Sequence, residues 1–525
     1  MPTAFEQAIS RFGANAKAKL NNPAVSGGPE DQLRAPLETL FADLASLVGP
    51  MAQDSVLVGE TSLADIKTRP DYAVTCRGAL VGFIEVKAPG KGCDPRKFTD
   101  AHDKAQWRKL QSLPNLIYTD GNGLSLWRNG KREREIVLFD GDIETAGAAL
   151  TAPDALVGLL TDFYGWQPVA PKRPRQLADM TARLCRLLRD EVTEQLERGE
   201  SNLQALREDW RQLLFPDADN AQFADGYAQA VTFGLLMARA RKIELTDNLD
   251  AVARSLRKTN TLIGAALGLL VADSDEDSQL KTSLKTLVRV LDVVHWDTIS
   301  KGEPEAWLYF YEEFLAVYDN TLRKQTGSYY TPPEVVNAMV RLTDEALRGS
   351  DLFDLPRGLA SPEVTIADPA AGTGTFLLSV LRQIAQIEEV ETGPGQVPAA
   401  VKAALARLIG FELQFGPFAV AQLRLLAEIA ELTGTSTQDA LDVDLRLFVA
   451  DTLGDPNEET HYIPTILQPI ADSRKEANRI KREESITVVI GNPPYKEKAR
   501  GRGGWVENGA RGEAGPLADW QPPPD

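Results

Sequence analysis

The amino-acid sequence predicts a multidomain α/β protein, and three local patterns predict it. A short β-branched run ending at Asp368 leads into a turn with Gly372 and Gly374, then into a helical pattern through Phe376, Leu377, Val380 and Leu381. That strand, glycine turn and helix alternation is the habit of a doubly wound sheet. A second strand-like run, Thr487 to Ile490, ends at Asn492 before Pro493 and Pro494, which stiffen the backbone and stop the pairing. Upstream, residues 70–87 read as a hairpin turning around Gly78.

At about 150 residues per domain, a chain of 525 residues holds three or four domains. Hydrophobic residues make up 43% and charged residues 25%, the balance of a globular chain and not of a disordered one. No apolar run approaches the roughly 20 residues a bilayer span needs, and the first residues lack a basic-then-apolar leader. No membrane partner is expected, and a reducing cytoplasm is the natural compartment. Cys76, Cys93 and Cys185, like His102, His295 and His461, are scattered, which argues against a disulfide framework or a Cys/His zinc site. A net charge of −18 argues against an indiscriminate nucleic-acid binder. Between Lys67 and Lys109, however, ten basic residues face five acidic ones, a surplus compatible with one basic face.

Five stretches differ in texture. Residues 1–30 read as an arm, part helix and part loose. Residues 31–155 combine a helical pattern (Leu33, Leu37, Leu40, Phe41, Leu44) with strand-like runs and glycine turns. Residues 156–325 form a helical connector that includes a Pro-rich linker at 167–174. Within it Leu177, Met180, Leu184, Leu188, Val192 and Leu196 build one apolar stripe, and Tyr227 to Ala240, apolar nearly all round, predicts a buried helix. The aromatic run Trp307, Tyr309, Phe310, Tyr311, Phe314 and Tyr318 reads as core. Residues 326–495 carry the α/β alternation, and 496–525 form a Gly-, Arg- and Pro-rich tail without helix or strand period.

Glycines at the turn after Asp368 let backbone N–H groups approach a ligand at the carboxyl end of a strand. Asn492 offers a side-chain carbonyl, Pro493 and Pro494 offer carbonyls without competing donors, and Tyr495 offers a flat ring. Such a corner can accept both hydrogens of an exocyclic amine while a base stacks on the ring. Together these segments resemble the N6-adenine DNA methyltransferases of the γ motif order. Asp368-Pro-Ala370-Ala-Gly372-Thr-Gly374 matches motif I, Asn492-Pro-Pro-Tyr495 matches motif IV, and Thr326 to Pro332, with Thr331 and Pro332, looks like motif X. Glu412 resembles the acid that holds the donor's ribose hydroxyls, and Asp451 the residue near the donor's adenine. The resemblance implies a Rossmann-like core that binds S-adenosyl-L-methionine and methylates adenine N6 in a flipped nucleotide of double-stranded DNA. The family's later strands and target-recognition region do not follow Tyr495, so the core is expected to be incomplete or completed by a second polypeptide.

In the upstream hairpin, Asp71 and Glu85 lie equidistant from Gly78 and are therefore expected as cross-strand neighbours, with Lys87 on the face of Glu85. Two carboxylates and a lysine at one spot suit a divalent metal that activates water beside a phosphodiester. This resembles the PD-(D/E)xK nuclease superfamily, which implies Asp71 and Glu85 as Mg2+ ligands, Lys87 as a catalytic cation, and Glu30 and Gln106 as flanking members. A nuclease ahead of a γ-type methyltransferase is the layout of fused, type IIG-like restriction–modification enzymes of phage defence. Related type ISP enzymes insert an ATP-driven translocase, but no G-x-x-x-x-G-K-[ST] stretch occurs here, so magnesium without ATP is expected. Two alternatives stay open: a methyltransferase with an inert nuclease fold, and a non-catalytic fragment or split subunit that relies on a partner chain for DNA recognition.

Overall fold

The computed structural model describes residues 2–22, 27–48, 52, 54–59, 70–76, 79–168, 170–199, 201–213, 219–245, 249–257, 267, 281–300, 305–318, 331–435, 445–457, 468–493, 504–509 and 514–520. The chain divides into two compact units. Unit 1 comprises Met1–Val169, Arg186–Glu194 and Leu280–Val290, and unit 2 comprises Ala170–Cys185, Gln195–Gln279 and Leu291–Asp525. Residues 156–325, expected as one connector, are thus shared between both.

Unit 1 begins with α1 (Ala4–Leu20), which opens on a capping box: Thr3 Oγ1 accepts from Glu6 N, and the Glu6 carboxylate accepts from Thr3 N at 2.7 Å. Ile9, Phe12 and Ala16, at helical steps, join the core that α2 (Pro29–Val48) builds with Leu37, Leu40, Phe41 and Leu44. The helical part of the expected arm thus spans residues 4–20, and its apolar side is core.

The sheet of unit 1 runs in chain order through β1 (Ser55–Gly59), β2 (Tyr72–Cys76), β3 (Ala79–Val86), β4 (Leu116–Thr119), β5 (Gly123–Arg128) and β6 (Lys131–Arg132), and β7 (Val137–Leu138) also pairs with β5. Neighbours are antiparallel except β3 and β4, which are parallel and joined through α3 (Ala101–Leu110). Tyr72 faces Ile84, Ala73 faces Phe83 and Val74 faces Gly82, the register expected from the sequence. Beyond Val74 the ladder slips so that Thr75 faces Leu80, which leaves Val81 as the extra residue of a β-bulge and corrects the uniform hairpin. Because of the bulge Val81 shares the core of α1, α2 and α4 (Ala155–Tyr164) with Ile84 and Val86, while Phe83 packs on the opposite face with Leu110, Leu116 and Tyr118.

Unit 2 contains α5 (Pro174–Arg198, whose middle residues count with unit 1), α6 (Asn220–Ala240), α7 (Ala306–Tyr318) and α8 (Pro333–Arg348). As expected, α6 is buried nearly all round from Tyr227 to Ala238. Its Phe233 ring meets Phe310, Tyr311 and Phe314 of α7, so the aromatic run is core, apart from the exposed Tyr309. A four-stranded parallel sheet follows: β8 (Ile366–Asp368), α9 (Thr375–Glu391), α10 (Val397–Leu405), β9 (Leu408–Glu412), α11 (Phe415–Thr433), β10 (Leu447–Val449), α12 (Gln468–Glu483) and β11 (Val488–Val489). Its spatial order is β10, β9, β8, β11. One face packs Ile366 and Leu408 with α8 to α11, and the other packs Ala367 and Ile409 with Ala477 and Ile480 of α12. Helices cover both faces, and the strand order reverses between β8 and β11. In such sheets that reversal opens the crevice used for ligands.

In the tail, Gly504–Asn508 form a short helix and Pro516–Trp520 a 3-10 turn, local order that the sequence pattern does not predict. Gly515 permits it, since a Cβ there would stand 2.6 Å from the Glu507 carbonyl. Among the described residues no helix is long and apolar enough to cross a membrane.

Candidate functional site

The crevice of unit 2 gathers residues from four strand ends. Asp368 closes β8, Glu412 closes β9, Asp451 follows β10 and Asn492 follows β11. Parallel pairing brings all four tips to one edge, because every strand ends there. The loops after β8 and β11 touch: a Cβ added to Gly491 would lie 2.6 Å from Asp368 Oδ1. Thr331, expected as motif X, meets the Asn492 corner as well, since Asn492 Nδ2 donates to Thr331 Oγ1 at 2.9 Å. Pro332 and Pro493 are exposed beside this pair, while Pro494, Tyr495 and residues 326–330 lie outside the described residues.

The glycine turn is closely tied down. Ala370 N donates to Asp368 Oδ1 at 3.1 Å, Ala371 N to the Phe411 carbonyl at 2.8 Å, and Gly374 N to the Ala371 carbonyl at 2.7 Å. Gly372 N donates to Glu412 Oε2 at 2.9 Å, and Gln414 N to Glu412 Oε1 at 2.8 Å. Gly372 and Gly374 have φ of +54° and +78°, a region that disfavours side chains. The N–H groups that a bare glycine turn would offer a ligand are thus largely spent within the fold, on Asp368, Phe411 and the turn itself, and Gly372 N orients Glu412. Thr452 Oγ1 donates to the Pro369 carbonyl at 2.6 Å, which ties the Asp451 loop to the same turn.

Asp368 is 1% exposed, and its Oδ2 has no hydrogen-bond partner among the described residues. Burial pushes its carboxyl up to about 7, against the pull of the Ala370 N–H and with a further push from Glu412. Glu412 is also raised by burial, opposed by the N–H groups of Gln414, Gly372 and Leu413. A buried acceptor without a donor, beside a largely buried second acid, is a site waiting for a cation or a hydroxyl. These residues fit a cationic nucleoside cofactor.

Unit 1 assembles the other cluster around β3. Asp71, just ahead of β2, accepts from Val86 N at 2.8 Å through Oδ2 and from Arg34 Nη2 at 2.6 Å through Oδ1. Lys87 Nζ stands 2.8 Å from Glu85 Oε1 and 3.2 Å from Asp103 Oδ1, and it donates to Gln106 Oε1. Glu30 Oε1 accepts from Ala88 N at 3.0 Å. The structure therefore brings Asp71, Glu85, Lys87, Glu30 and Gln106 into one neighbourhood. Asp103 and Arg34 are additions. Asp103 precedes Gln106 by one helical turn on α3, an i,i+3 spacing that gives a sequence-level sign of a shared face.

Glu85 is 2% exposed, and its Oε2 and the Tyr118 hydroxyl opposite it in β4 have no hydrogen-bond partner among the described residues. Burial pushes Glu85 up to about 8, Asp71 adds to the push, and Lys87 opposes it. Burial works against the Lys87 ammonium, yet Glu85 and Asp103 overcome it and hold the lysine above its ordinary range. Asp71 is raised by burial, with Val86 N and Arg34 pulling down. Among the described residues no group of three or more His, Cys, Asp or Glu side chains is placed to hold a metal. A divalent ion here would rest on the two carboxylates and on water, a mode that suits Mg2+. The buried Glu85 oxygen without a donor fits that mode.

A parallel α/β sheet with a glycine turn, two acids and an asparagine corner at its switch point defines a nucleoside-cofactor domain. Residues 308–513 match the family described as N-6 DNA Methylase, so this stretch carries an N6-adenine methyltransferase domain. Over 212 residues, 40% of this chain and 30% of the relative, the sequence is 21% identical to the Type I restriction enzyme MpnII methylase subunit of Mycoplasma pneumoniae. Two solved structures are similar: the DrdV–DNA complex, with TM-score 0.44 and 19% identity over 94% of this chain and 44% of that one, and the ATP-dependent Type ISP restriction–modification enzyme LlaBIII bound to DNA, with TM-score 0.45 and 18% identity over 70% and 23%. The chain spans less than half the length of each of these relatives.

Proposed function

We propose that this chain is a restriction–modification methylase that transfers a methyl group from S-adenosyl-L-methionine to adenine N6 in double-stranded DNA. The observation that carries the reading is the contact between the Asp368 turn and the Gly491-Asn492 corner, since donor and acceptor must react across a few ångströms. The cofactor supplies an electrophilic methyl on a sulfonium. Glu412 and Asp451 suit its ribose and adenine, and the orphaned Asp368 oxygen suits its ammonium. Asn492, held by Thr331, accepts one N6 hydrogen, and a carbonyl of the Pro493 region accepts the other. Both contacts push the N6 lone pair out of the ring toward the methyl. Tyr495 stacks on the flipped base.

The full chain, incubated with isotopically labelled S-adenosylmethionine and mixed-sequence DNA, is expected to yield N6-methyladenine by mass spectrometry. Asn492→Ala should lower the rate by about a hundredfold or more. Absence of product from the parent, with or without an added specificity polypeptide, refutes the assignment.

Unit 1 supports a second activity, Mg2+-dependent DNA cleavage. Asp71 and Glu85 would hold the ion, and Lys87 would meet the charge of the phosphodiester. Its support is the convergence of those side chains with Gln106 at one buried spot. Cleavage that needs Mg2+ and disappears in Lys87→Ala is expected. Cleavage unchanged in Lys87→Ala and Asp71→Asn would leave unit 1 as an inert scaffold.

A further inference from the structure

Helix α11 is apolar along most of its buried length, through Phe418, Val420, Leu425 and Ile429, yet it buries an arginine. The Arg424 side chain is 1% exposed. Its Nη1 donates to the Thr373 carbonyl at 2.7 Å, to Thr375 Oγ1 at 3.0 Å and to Thr373 Oγ1 at 3.2 Å. Its Nη2 donates to Glu305 Oε2 at 2.9 Å. Packing alone does not call for a guanidinium here, because a leucine would fill the space without a desolvation cost. What the guanidinium adds is a fixed fork of donors: Nη1, with two hydrogens, shares them among the three oxygens of the glycine turn, while Nη2 holds Glu305.

Two observations extend the contact beyond the turn. Ala421, one helical turn before Arg424, meets the same loop, since a Cβ on Gly374 would lie 3.2 Å from the Ala421 Cβ. The turn is therefore pressed on α11 by shape and aimed by charge. Glu305 immediately precedes α7, and its Oε1 accepts from Arg382 Nη1 of α9 at 3.0 Å. Arg382 in turn grips Glu428 of α11 in a bidentate pair at 2.7 and 2.6 Å. The two arginines, against the cost of burial, hold Glu305 below the usual carboxylate range.

We propose that Arg424, oriented by Glu305, is the positioning residue of the donor loop, and that through Glu305 the aromatic helix α7 sets how tightly S-adenosylmethionine is held. The inference rests on the donor-binding reading above. Neither residue touches the reacting atoms. Arg424 aims the Thr373–Thr375 backbone, whose neighbours Gly372 and Glu412 form the nucleoside floor. Glu305 keeps the guanidinium from turning away.

The test uses the full chain and titrates S-adenosylmethionine calorimetrically into the parent, Glu305→Gln, Arg424→Lys and Asp368→Ala. Glu305→Gln, which takes the charge from the contacts to both Arg424 and Arg382, and Arg424→Lys, which loses the planar fork, should each weaken donor binding by about tenfold or more. The KM for donor should rise in step, while kcat at saturating donor falls less. Amide exchange at residues 372–375 should quicken in both variants, with thermal melting close to the parent in Glu305→Gln. Should Arg424→Lys not fold, Glu305→Gln decides alone. Donor affinity and exchange equal to the parent in a folded Glu305→Gln overturn the positioning role. A parent that binds no donor overturns the methyltransferase reading together with this one, whereas a parent whose binding is lost only in Asp368→Ala overturns this one alone.

Discussion

At the residue scale the telling feature is acid placed where water is scarce. Asp368 holds its proton up to about pH 7 instead of its ordinary 3.8, because burial destabilises the charged form more than one N–H restores it. The consequence for stability has a definite sign. Between roughly pH 4 and 7 the folded chain keeps a proton that the unfolded chain has released, so this group's contribution falls as pH rises through that window and levels off above it. Urea unfolding of unit 2 should therefore show Asp368→Asn gaining on the parent from pH 5 to pH 8. Equal pH slopes for the two proteins would contradict the burial account. Asp368 is legible in sequence because an acid closing a strand before a glycine turn is a short-range pattern, whereas Glu412, at the end of a short strand, stands out only through the family resemblance. Arg424 is not legible, since a lone arginine among apolar helix positions reads the same whether it snorkels to water or buries under a loop.

At the scale of elements, helix α1 shows how far periodicity carries. Ile9, Phe12 and Ala16 recur at the helical step, and all three are buried in the core that α2 completes. Low overall hydrophobicity in the first 30 residues favours the reading of an arm, and only the partner face of α2 turns the stripe into core. Phe12 also meets Phe139 edge to face, with ring centres 6.0 Å apart. Phe12→Ala should cost unit 1 about 3 to 5 kcal/mol, measured as a lowered unfolding midpoint. A loss below 1 kcal/mol would mean that α1 is an appendage. The β2–β3 hairpin shows the converse: strand alternation sets the pairing of Tyr72 with Ile84, but the bulge at Val81 comes from packing on both faces and leaves no mark in the period.

At the scale of the whole molecule, the proposed functions give the two units different ligands, and each unit should respond to its own. A ligand that binds only the folded state adds stability with concentration, about 2.7 kcal/mol at a hundredfold excess over its Kd. S-Adenosylmethionine should raise the transition of unit 2 and leave that of unit 1 in place, and Asp368→Ala should abolish the effect. Mg2+ should do the reverse, with Glu85→Gln removing its effect. Scanning calorimetry of the full chain resolves both. A shift of both transitions by one ligand would contradict the assignment of each chemistry to one unit.

Chain-local rules already specify much of this protein: strands that end in acids, a glycine turn, an asparagine before two prolines, and helices with apolar stripes. Those features depend on backbone sterics and side-chain period, which act over a handful of neighbours. Partners distant along the chain are another matter. Thr331 holds Asn492, and Glu305 holds Arg424, only because β11 inserts beside β8 and because α7 packs near α9 and α11. Strand order and helix packing are settled by burial summed over the entire core, a collective quantity that no short window of residues contains.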